Sequence, residues 1–263
     1  MSQFPLKPLQ DAAAALARAR EQREPCARIS STFGIDSLTG AYAVQEINTQ
    51  RALAQGRRLV GRKIGLTSAA VQQQLGVEQP DFGMLFADME IADGGEIQIS
   101  QLIQPKAEGE IAFVLGRDLP YEDTTLAELL RAVEYVVPAL EIVDSAIENW
   151  NISLVDTVAD NASSGLYVLG KQPTPLASLD LRLEGMLLEK NAATASIGVG
   201  AACLGNPVDA CLWLARTMAR MGRPLQAGDV LLSGALGPMT PVVAGDSLRL
   251  HLTRLGQIRC RFI

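Results

Sequence analysis

Three glutamates in this chain lie inside apolar segments. Glu108 and Glu110 stand just before the run 111–115, and Glu141 lies within the run 136–143. A carboxylate is costly to bury unless a positive charge neutralises it. Because residues i and i+2 of a strand point to the same face, we expect Glu108 and Glu110 to converge on one ion, with Glu141 arriving from a neighbouring strand. A solvated strand face is the alternative for the pair.

The ligands of such a site would be carboxylate oxygens. The chain has a single histidine, His251, which alternates with leucines in a late strand-like segment and is interpreted as structural. Oxygen donors without nearby histidine or cysteine favour Mg²⁺ or Mn²⁺ over Zn²⁺. The GxGxxG, Walker and GxSxG motifs are absent from the sequence. The sequence therefore predicts an enzyme that uses a divalent cation.

Two candidate proton-transfer residues lie in short segments near glycines. Lys63 is flanked by glycines at the end of a strand-like segment, where burial would lower its pKa towards use in proton transfer. A surface lysine beside Arg62 is the alternative. Asp81 follows a proline, and its spacing alone favours an ordinary turn aspartate.

A polar loop, residues 160–165, precedes another strand-like segment. Its small hydroxyl side chains, including that of Ser163, and its backbone amides could together hold a carboxylate, as backbone nests do. An ordinary turn would explain the same composition equally well.

The composition is typical of a folded protein that acts on small molecules. The chain has 263 residues, of which 48% are hydrophobic and 20% charged, with a net charge of −6. This length can bury a sizeable core. The acidic balance and the absence of a basic stripe argue against nucleic acid as a partner. No apolar run reaches the roughly 20 residues of a membrane span, so we expect a small-molecule substrate, no nucleic acid and no membrane.

The cysteines and the N-terminal segment favour a cytoplasmic protein. Four cysteines are scattered without CxxC spacing, which is typical of reduced thiols. The N-terminal segment has alanines but no long apolar stretch with a cleavage site after it, so a secretory signal is not expected.

Helical periodicity is strongest in the first third of the chain. The predicted helices are Ala12–Arg23, a helix capped by Asp36 and Ser37 that runs towards Gly56, a short helix Ala69–Leu75 capped by Thr67 and Ser68, and later helices over 125–135 and 206–221. The last has Asn206 as its cap, Pro207 at its first position and Gly222 just beyond its end.

Strand patterns dominate the rest of the chain. Predicted strands cover residues 59–65, 81–86, 96–99, 110–115, 136–143, 165–169 and 181–188. Two Ala-Gly-Asp copies, at 227–229 and 244–246, are interpreted as turns before strands. These elements predict an α+β fold. We expect a small N-terminal helical lobe, residues 1–58, and a mostly β catalytic domain, residues 59–263, or else one continuous domain.

Five blocks of sequence together resemble one family. In chain order they are VGRKIGLTSAAVQQQLGVEQPDFGMLFADM, QPKAEGEIAFVLGRDLP, VVPALEIVDS, LVDTVADNASSG and GDVLLSGALGPM. They resemble the 2-keto-4-pentenoate (2-hydroxypenta-2,4-dienoate) hydratases of the fumarylacetoacetate hydrolase superfamily, over nearly the whole chain. The resemblance implies a small N-terminal lobe on a rolled, mixed β-sheet core. It also implies a homo-oligomer, commonly a pentamer or a decamer, and association with pathway enzymes.

The resemblance implies a role for each candidate residue. The implied metal ligands are Glu108, Glu110 and Glu141. The implied proton-transfer residues are Lys63 and Asp81. The implied substrate-binding groups are the backbone N–H of Ile64 and the side chain of Ser163. The implied cofactor is Mg²⁺ or Mn²⁺.

The implied reaction is the metal-dependent hydration of 2-hydroxypenta-2,4-dienoate to 4-hydroxy-2-oxopentanoate, in the meta-cleavage degradation of aromatic compounds. The substrate would chelate the metal through its C1 carboxylate and C2 oxygen. A proton would be delivered at C5 and water would add at C4. Lys63 and Asp81 share the acid–base role, since the sequence does not say which serves which step.

The nearest alternative is the sister enzyme 4-oxalocrotonate decarboxylase, whose substrate has a second carboxylate. That group would need a cationic partner, whereas a vinyl tail needs only apolar contacts. Phe82, Met84, Leu85 and Phe86 offer an apolar wall that favours the hydratase, and Arg62 is the residue that would contradict it. A hydratase for a heptenedioate substrate meets the same difficulty.

Two further alternatives are more distant. A C–C bond hydrolase of the superfamily would use a Glu–His pair, and the chain has no histidine before His251. A non-catalytic assembly partner of pathway enzymes would retain the same sequence blocks without turnover.

Gly109 is a departure from the resemblance. Relatives usually carry alanine between the paired acids. Glycine weakens the interior of a strand and leaves space beside it. Since the change removes no ligand, we expect activity to be retained.

Overall fold

The computed structural model of the protein describes residues 6–68, 72, 73, 77 and 79–263. The short helix predicted over Ala69–Leu75 lies, apart from residues 72 and 73, outside the described residues. Among the described residues, every helix is too short or too polar to cross a membrane.

Six α-helices can be followed in the described part of the chain. They are α1 Leu6–Gln22, α2 Ile29–Phe33, α3 Leu38–Ala54, α4 Leu126–Ala132, α5 Leu154–Ala159 and α6 Pro207–Arg220. In α1 the buried residues Leu9, Ala12, Ala13, Leu16 and Ala19 recur at helical spacing and form one apolar face. The helix begins six residues before the predicted start at Ala12, because this face already includes Leu9.

Side-chain caps fix the ends of several helices. Ser37 accepts a hydrogen bond from the N–H of Gly40 at the start of α3, and Asn206 accepts one from Val208 at the start of α6. Both predicted starts are confirmed. The helix predicted to run to Tyr135 is wrong at its end, since α4 stops at Ala132 and the β-branched and aromatic residues that follow form a strand.

Thirteen strands form two mixed sheets in the described residues. They are β1 Leu59–Gly65, β2 Asp81–Phe86, β3 Glu90–Ile91, β4 Glu96–Ile97, β5 Pro105–Leu115, β6 Val133–Asp144, β7 Ser164–Leu169, β8 Gly185–Lys190, β9 Ala193–Val199, β10 Val230–Leu232, β11 Thr240–Pro241, β12 Ser247–Leu252 and β13 Gly256–Phe262. The larger sheet has the order β2-β1-β10-β5-β6-β7-β3, with β11 on β5, and the smaller has the order β4-β13-β12-β8-β9. The predicted α+β class is confirmed.

Three strand predictions need correction. The strand predicted over 96–99 ends at Ile97, and a 3₁₀ turn follows from Ile99. The segment Leu181–Leu183 is also a 3₁₀ turn, so the predicted strand 181–188 begins only at Gly185. Strand β5 begins five residues before the predicted start and therefore contains both Glu108 and Glu110. Both Ala-Gly-Asp copies are turns, with glycine φ angles of 90°.

The larger sheet curls, so that strands distant in its order approach each other. Strand β2 contacts β7 and the turn before it. The side chain of Asn161 holds this closure, because its Oδ1 accepts from the N–H of Met84 at 2.7 Å and its Nδ2 donates to the Met84 carbonyl at 2.9 Å. The outer face packs on the smaller sheet, where Gly109 meets Met186 and Leu250.

The N-terminal helices build a second apolar cluster beside the main core. Residues of α1, α2 and α3 pack there against Ala146, Ile147, Val158 and Ala159, which come from the middle of the chain. The helical lobe is therefore joined to the catalytic part by apolar packing. The division at residue 58 stays a prediction.

Substituting Gly109 tests the contact between the sheets. An added Cβ would lie 2.5 Å from Met186 Sδ and 2.6 Å from Leu250 Cδ1, so the space expected beside this glycine is already filled. We expect Gly109→Ala to lower the free energy of unfolding in urea by about 1 kcal/mol. Its side chain would point away from Glu108 and Glu110, so activity should stay.

A double variant gives the control for this clash. Met186→Val removes the sulfur atom that the new methyl group would meet. Gly109→Ala combined with Met186→Val should therefore be more stable than the sum of the two single effects predicts. Strict additivity would contradict the proposed contact.

Candidate metal centre and active site

Strands β5 and β6 bring the three glutamates together. Glu108 is the direct partner of Glu141 in the antiparallel register, and Glu110 follows two residues later on the same face. One carboxylate oxygen from each residue lies within 4.8 Å of the others. Glu110 and Glu141 are buried, whereas Glu108 is partly exposed. The side chains expected to share one ion are thus adjacent, and their binding of a metal stays a prediction.

The hydrogen bonds of these carboxylates leave room for a cation. Glu110 Oε2 accepts from the N–H of Gly234 at 2.8 Å. Glu110 Oε1 and both oxygens of Glu141 have no hydrogen-bond partner among the described residues. Lys63 Nζ lies 3.2 Å from Glu141 Oε1, as an ion pair without hydrogen-bond alignment. Three clustered carboxylates face one ammonium group, and a hard divalent cation fits this all-oxygen donor set.

The electrostatics of the cluster show the same imbalance of charge. Burial raises the pKa of Glu108 to about 7, with Lys63 opposing the shift and Glu141 adding to it. Burial and the charges of Glu141 and Glu108 also hold the pKa of Glu110 well above its ordinary value. Without a cation, the surroundings of Glu108 and Glu110 therefore favour their protonated forms.

Lys63 reaches the cluster because it shares its face of the sheet. Its partner in β10 is Leu232, which in turn pairs with Ala112, two residues beyond Glu110 in β5. Lys63 is buried, and its Nζ donates to the carbonyl of Ala162 at 3.1 Å. The surface alternative is thereby excluded.

The predicted direction of the Lys63 pKa is wrong. Burial alone would lower it, but the charges of Glu141, Asp81, Glu108 and Glu110 outweigh burial and raise the pKa above its ordinary value. In the metal-free site Lys63 is an ammonium group held between carboxylates.

Asp81 lies at the start of β2, directly opposite Gly65 in β1. It is buried, which raises its pKa to about 6; Lys63 opposes this shift and Glu141 adds to it. Gly65 makes the space for its side chain, since a Cβ at that position would lie 2.1 Å from Asp81 Oδ1 and 3.5 Å from Lys63 Nζ. Asp81 is therefore part of the site and not an ordinary exposed turn aspartate.

Ser163 ends a turn of three residues in the left-handed region, Asn161–Ser163, with φ angles of 57°, 51° and 53°. Its hydroxyl is buried and lies 3.3 Å from Thr157 Oγ1. The preceding carbonyl, of Ala162, is the one that binds Lys63. Three successive left-handed residues other than glycine are strained, and such strain is typical of functional sites. Ile64 follows Lys63 in β1 with its side chain buried. The substrate contacts of Ser163 and Ile64 stay predictions.

The comparisons with known proteins agree with this geometry. The family model described as fumarylacetoacetate (FAA) hydrolase C-terminal matches residues 50–263. A 2-keto-4-pentenoate hydratase of Paraburkholderia xenovorans (strain LB400) is 56% identical over 253 residues, which cover 96% of this chain and 94% of the relative. The chain belongs to the fumarylacetoacetate hydrolase family.

Two further proteins are similar to this chain. A 2-hydroxyhexa-2,4-dienoate hydratase of Comamonas testosteroni is 47% identical over 80% of each chain. A solved structure, the 4-oxalocrotonate decarboxylase from Pseudomonas putida G7 complexed with magnesium and adipate, superposes with a TM-score of 0.96 at 33% identity and covers 100% of both chains. The family and the fold predicted from the sequence blocks are confirmed.

Some groups of the candidate site were not singled out from the sequence. They are Gly65, the carbonyl of Ala162 and the N–H of Gly234. All three act through the backbone or through the lack of a side chain, so residue type alone gives little signal. Gly65 and Gly234 do lie inside the sequence blocks that carry the resemblance.

The charge imbalance predicts a pH effect on the metal-free protein. Because the pKa of Glu108 is raised from 4.5 to about 7, the folded state holds a proton that the unfolded chain releases, and stability falls as the pH rises through this window. In EDTA, urea unfolding of Glu108→Gln should show a smaller loss from low to neutral pH than the unsubstituted protein. Mg²⁺ should stabilise the unsubstituted protein more than the variant. Parallel pH curves would contradict the interpretation.

Proposed function

We propose that this protein catalyses the metal-dependent hydration of 2-hydroxypenta-2,4-dienoate to 4-hydroxy-2-oxopentanoate in the breakdown of aromatic compounds. The observation that carries the proposal is the meeting of Glu108, Glu110, Glu141, Lys63 and Asp81 on one face of the curled sheet. The relatives that match nearly the whole chain are named hydratases, which confirms the predicted reaction type. The chain is an enzyme, a hydro-lyase.

The three glutamates would hold the metal, as Mg²⁺ or Mn²⁺. The related decarboxylase was solved with magnesium and also with calcium, which supports a divalent cation at the three glutamates of this chain. When bound, the cation supplies Lewis-acid stabilisation of negative charge on an α-keto acid substrate. Glu110 is oriented for this role by the N–H of Gly234.

Asp81 is the better proton carrier of the predicted pair. Its pKa of about 6 lies near neutrality, so its carboxyl group can take up and release a proton at Oδ1 during turnover. In the metal-free site the surrounding carboxylates raise the pKa of Lys63. We assign Lys63 the task of holding the Ala162 carbonyl and placing positive charge beside Glu141. Asp81 then delivers a proton to C5 and takes one from the water that adds at C4, which returns its carboxyl group to the starting state.

The contacts of Arg62 favour the hydratase over the decarboxylase. Arg62 precedes Lys63 in β1, so its side chain points to the opposite face of the sheet. There it donates to the carbonyl of Gly61 at 2.8 Å and lies in the field of Asp229. It is not placed to neutralise a distal carboxylate next to Lys63.

The apolar wall expected after Asp81 is only partly correct. Alternation along β2 turns Phe82, Met84 and Phe86 away from the face of Asp81, and Phe82 stacks on Tyr42 with ring centroids 4.5 Å apart. Leu85 alone keeps the face of Asp81. The preference for a vinyl tail therefore rests on Leu85 and on the orientation of Arg62.

A side-by-side assay tests the reaction. Purified protein with Mg²⁺ should consume the absorbance of 2-hydroxypenta-2,4-dienoate, and it should release little CO₂ from 4-oxalocrotonate. EDTA should abolish the hydration, and Mg²⁺ or Mn²⁺ should restore it. Release of CO₂ as the main activity would replace the hydratase by the decarboxylase. No turnover of either substrate would support the assembly-partner alternative.

Gly65→Ala tests the placement of Asp81. The added methyl group must displace the Asp81 carboxylate, since the two would otherwise be 2.1 Å apart. We expect turnover to fall about a hundredfold, with Mg²⁺ affinity measured by calorimetry unchanged. The matched control is Gly109→Ala in β5, whose side chain lies on the opposite face from the glutamates. Equal activity of the two variants would remove Gly65 from the site.

We also propose a cytoplasmic homo-oligomer, a pentamer or decamer, that associates with pathway enzymes. The free thiols of the cysteines support the reducing compartment, and the family resemblance supports the assembly. Light scattering of the purified protein tests the subunit number.

A further inference from the structure

Arg20 of helix α1 reaches from the N-terminal lobe into the catalytic part of the chain. Its Nη1 lies 3.2 Å from Asp144 Oδ2, and its Nη2 lies 2.9 Å from Asp160 Oδ1. The same guanidinium also donates to the backbone carbonyl of Asp144. Both aspartates are buried. The bridge joins helix α1 to the end of β6 and to the segment before the Asn161–Ser163 turn, three parts of the chain that are far apart in sequence.

The two aspartates stand beside the parts of the site. Asp144 ends β6, three residues after Glu141. Asp160 stands directly before the Asn161–Ser163 turn. Its Oδ2 accepts from the N–H of Ala146 at 2.8 Å, and its backbone carbonyl accepts from the N–H of Ser163 at 3.0 Å. Arg20 therefore clamps the start of the turn to the end of β6.

The turn needs such a clamp because its conformation is unfavourable. Left-handed residues other than glycine are strained, and they persist only where their surroundings impose the conformation. Asn161 is held at one side by Met84. On the other side the contacts run from Arg20 to Asp160, then through the turn to Ala162, whose carbonyl binds Lys63.

We propose that Arg20 is a positioning residue, which acts through Asp160 to keep the Asn161–Ser163 turn in the shape that receives the substrate carboxylate. The inference rests on the proposed function of Ser163. The contacts of Arg20 run to Asp144 and Asp160, so it acts through these aspartates and not through the three glutamates.

Variants of Arg20 and a matched arginine separate this role from a merely structural one. Arg28 also joins the N-terminal lobe to a buried aspartate, since its Nε lies 3.1 Å from Asp156 Oδ2. The carboxylate of Asp156 accepts from the hydroxyl of Ser153 at the start of α5 and from that of Ser30, and not from the turn. We expect both Arg20→Ala and Arg28→Ala to lower the melting temperature. Arg20→Ala alone should raise KM about tenfold to a hundredfold, with a smaller change in kcat and unchanged Mg²⁺ affinity.

Chemical rescue gives a readout that lost stability does not provide. A cavity of about 460 Å³, lined by Arg20, Asp144, Asp160 and Ser164, opens beside the clamp. Methylguanidinium at millimolar, non-denaturing concentration can therefore reach the two aspartates in Arg20→Ala. Methylguanidinium should lower the KM of Arg20→Ala towards that of the unsubstituted protein, and it should leave the KM of Arg28→Ala unchanged. Arg20→Lys cannot bridge both carboxylates with one planar group, so its KM should lie between those of Arg20→Ala and the unsubstituted protein.

Binding of oxalate to the Mg²⁺-loaded protein tests the role of Arg20 independently of the hydration reaction. Calorimetry should show weaker oxalate binding to Arg20→Ala than to the unsubstituted protein or to Arg28→Ala. If the unsubstituted protein binds oxalate but hydrates no dienoate, the proposed function fails and the clamp still stands. If hydration occurs but Arg20→Ala binds oxalate and substrate normally, the clamp is refuted. A failure of the unsubstituted protein to bind oxalate would also overturn it.

Discussion

The pairing of β5 with β6 is the constraint on which the rest of the site depends. This register sets Glu108 opposite Glu141 and places Glu110 on the same face, so negative charge accumulates in a water-poor interior. Neighbouring elements stabilise that charge in different ways. Strand β1 contributes the ammonium group of Lys63, and the loop after β10 contributes the N–H of Gly234. A shift of one residue in the register would turn the acids to the other face.

Much of the site could be predicted because its chemistry follows short-range rules. The i and i+2 spacing of Glu108 and Glu110 is enough to place both on one face of a strand. The prediction that Lys63 and Asp81 belong to the same site needed the family resemblance, because the sequence around these two residues is equally typical of surface residues and turns. The α+β class followed from periodicity, but the end of α4 at Ala132 did not, because a helix and a buried strand share the same apolar residues there.

Other features depend on tertiary contacts that residue types do not report. The pKa of Lys63 was predicted to fall, and its rise becomes clear only when the surrounding carboxylates are counted. The left-handed turn at Asn161–Ser163 contains no glycine, so its backbone gives no local signal. The apolar wall after Asp81 was only partly correct for a simpler reason, since Phe82 and Asp81 are adjacent and must face opposite sides of β2, whereas Leu85 shares the face of Asp81.

The raised pKa values of Glu108 and Glu110 have a further consequence for the proposed metal site. A carboxyl group that keeps its proton near neutral pH must release it when a cation takes its place, so the proposed uptake of a metal would acidify the medium. Metal affinity of the proposed site would therefore increase with pH in the range where these acids titrate. An enzyme with this site would exchange protons for metal ions, and the pH of its surroundings would set how much of it is loaded.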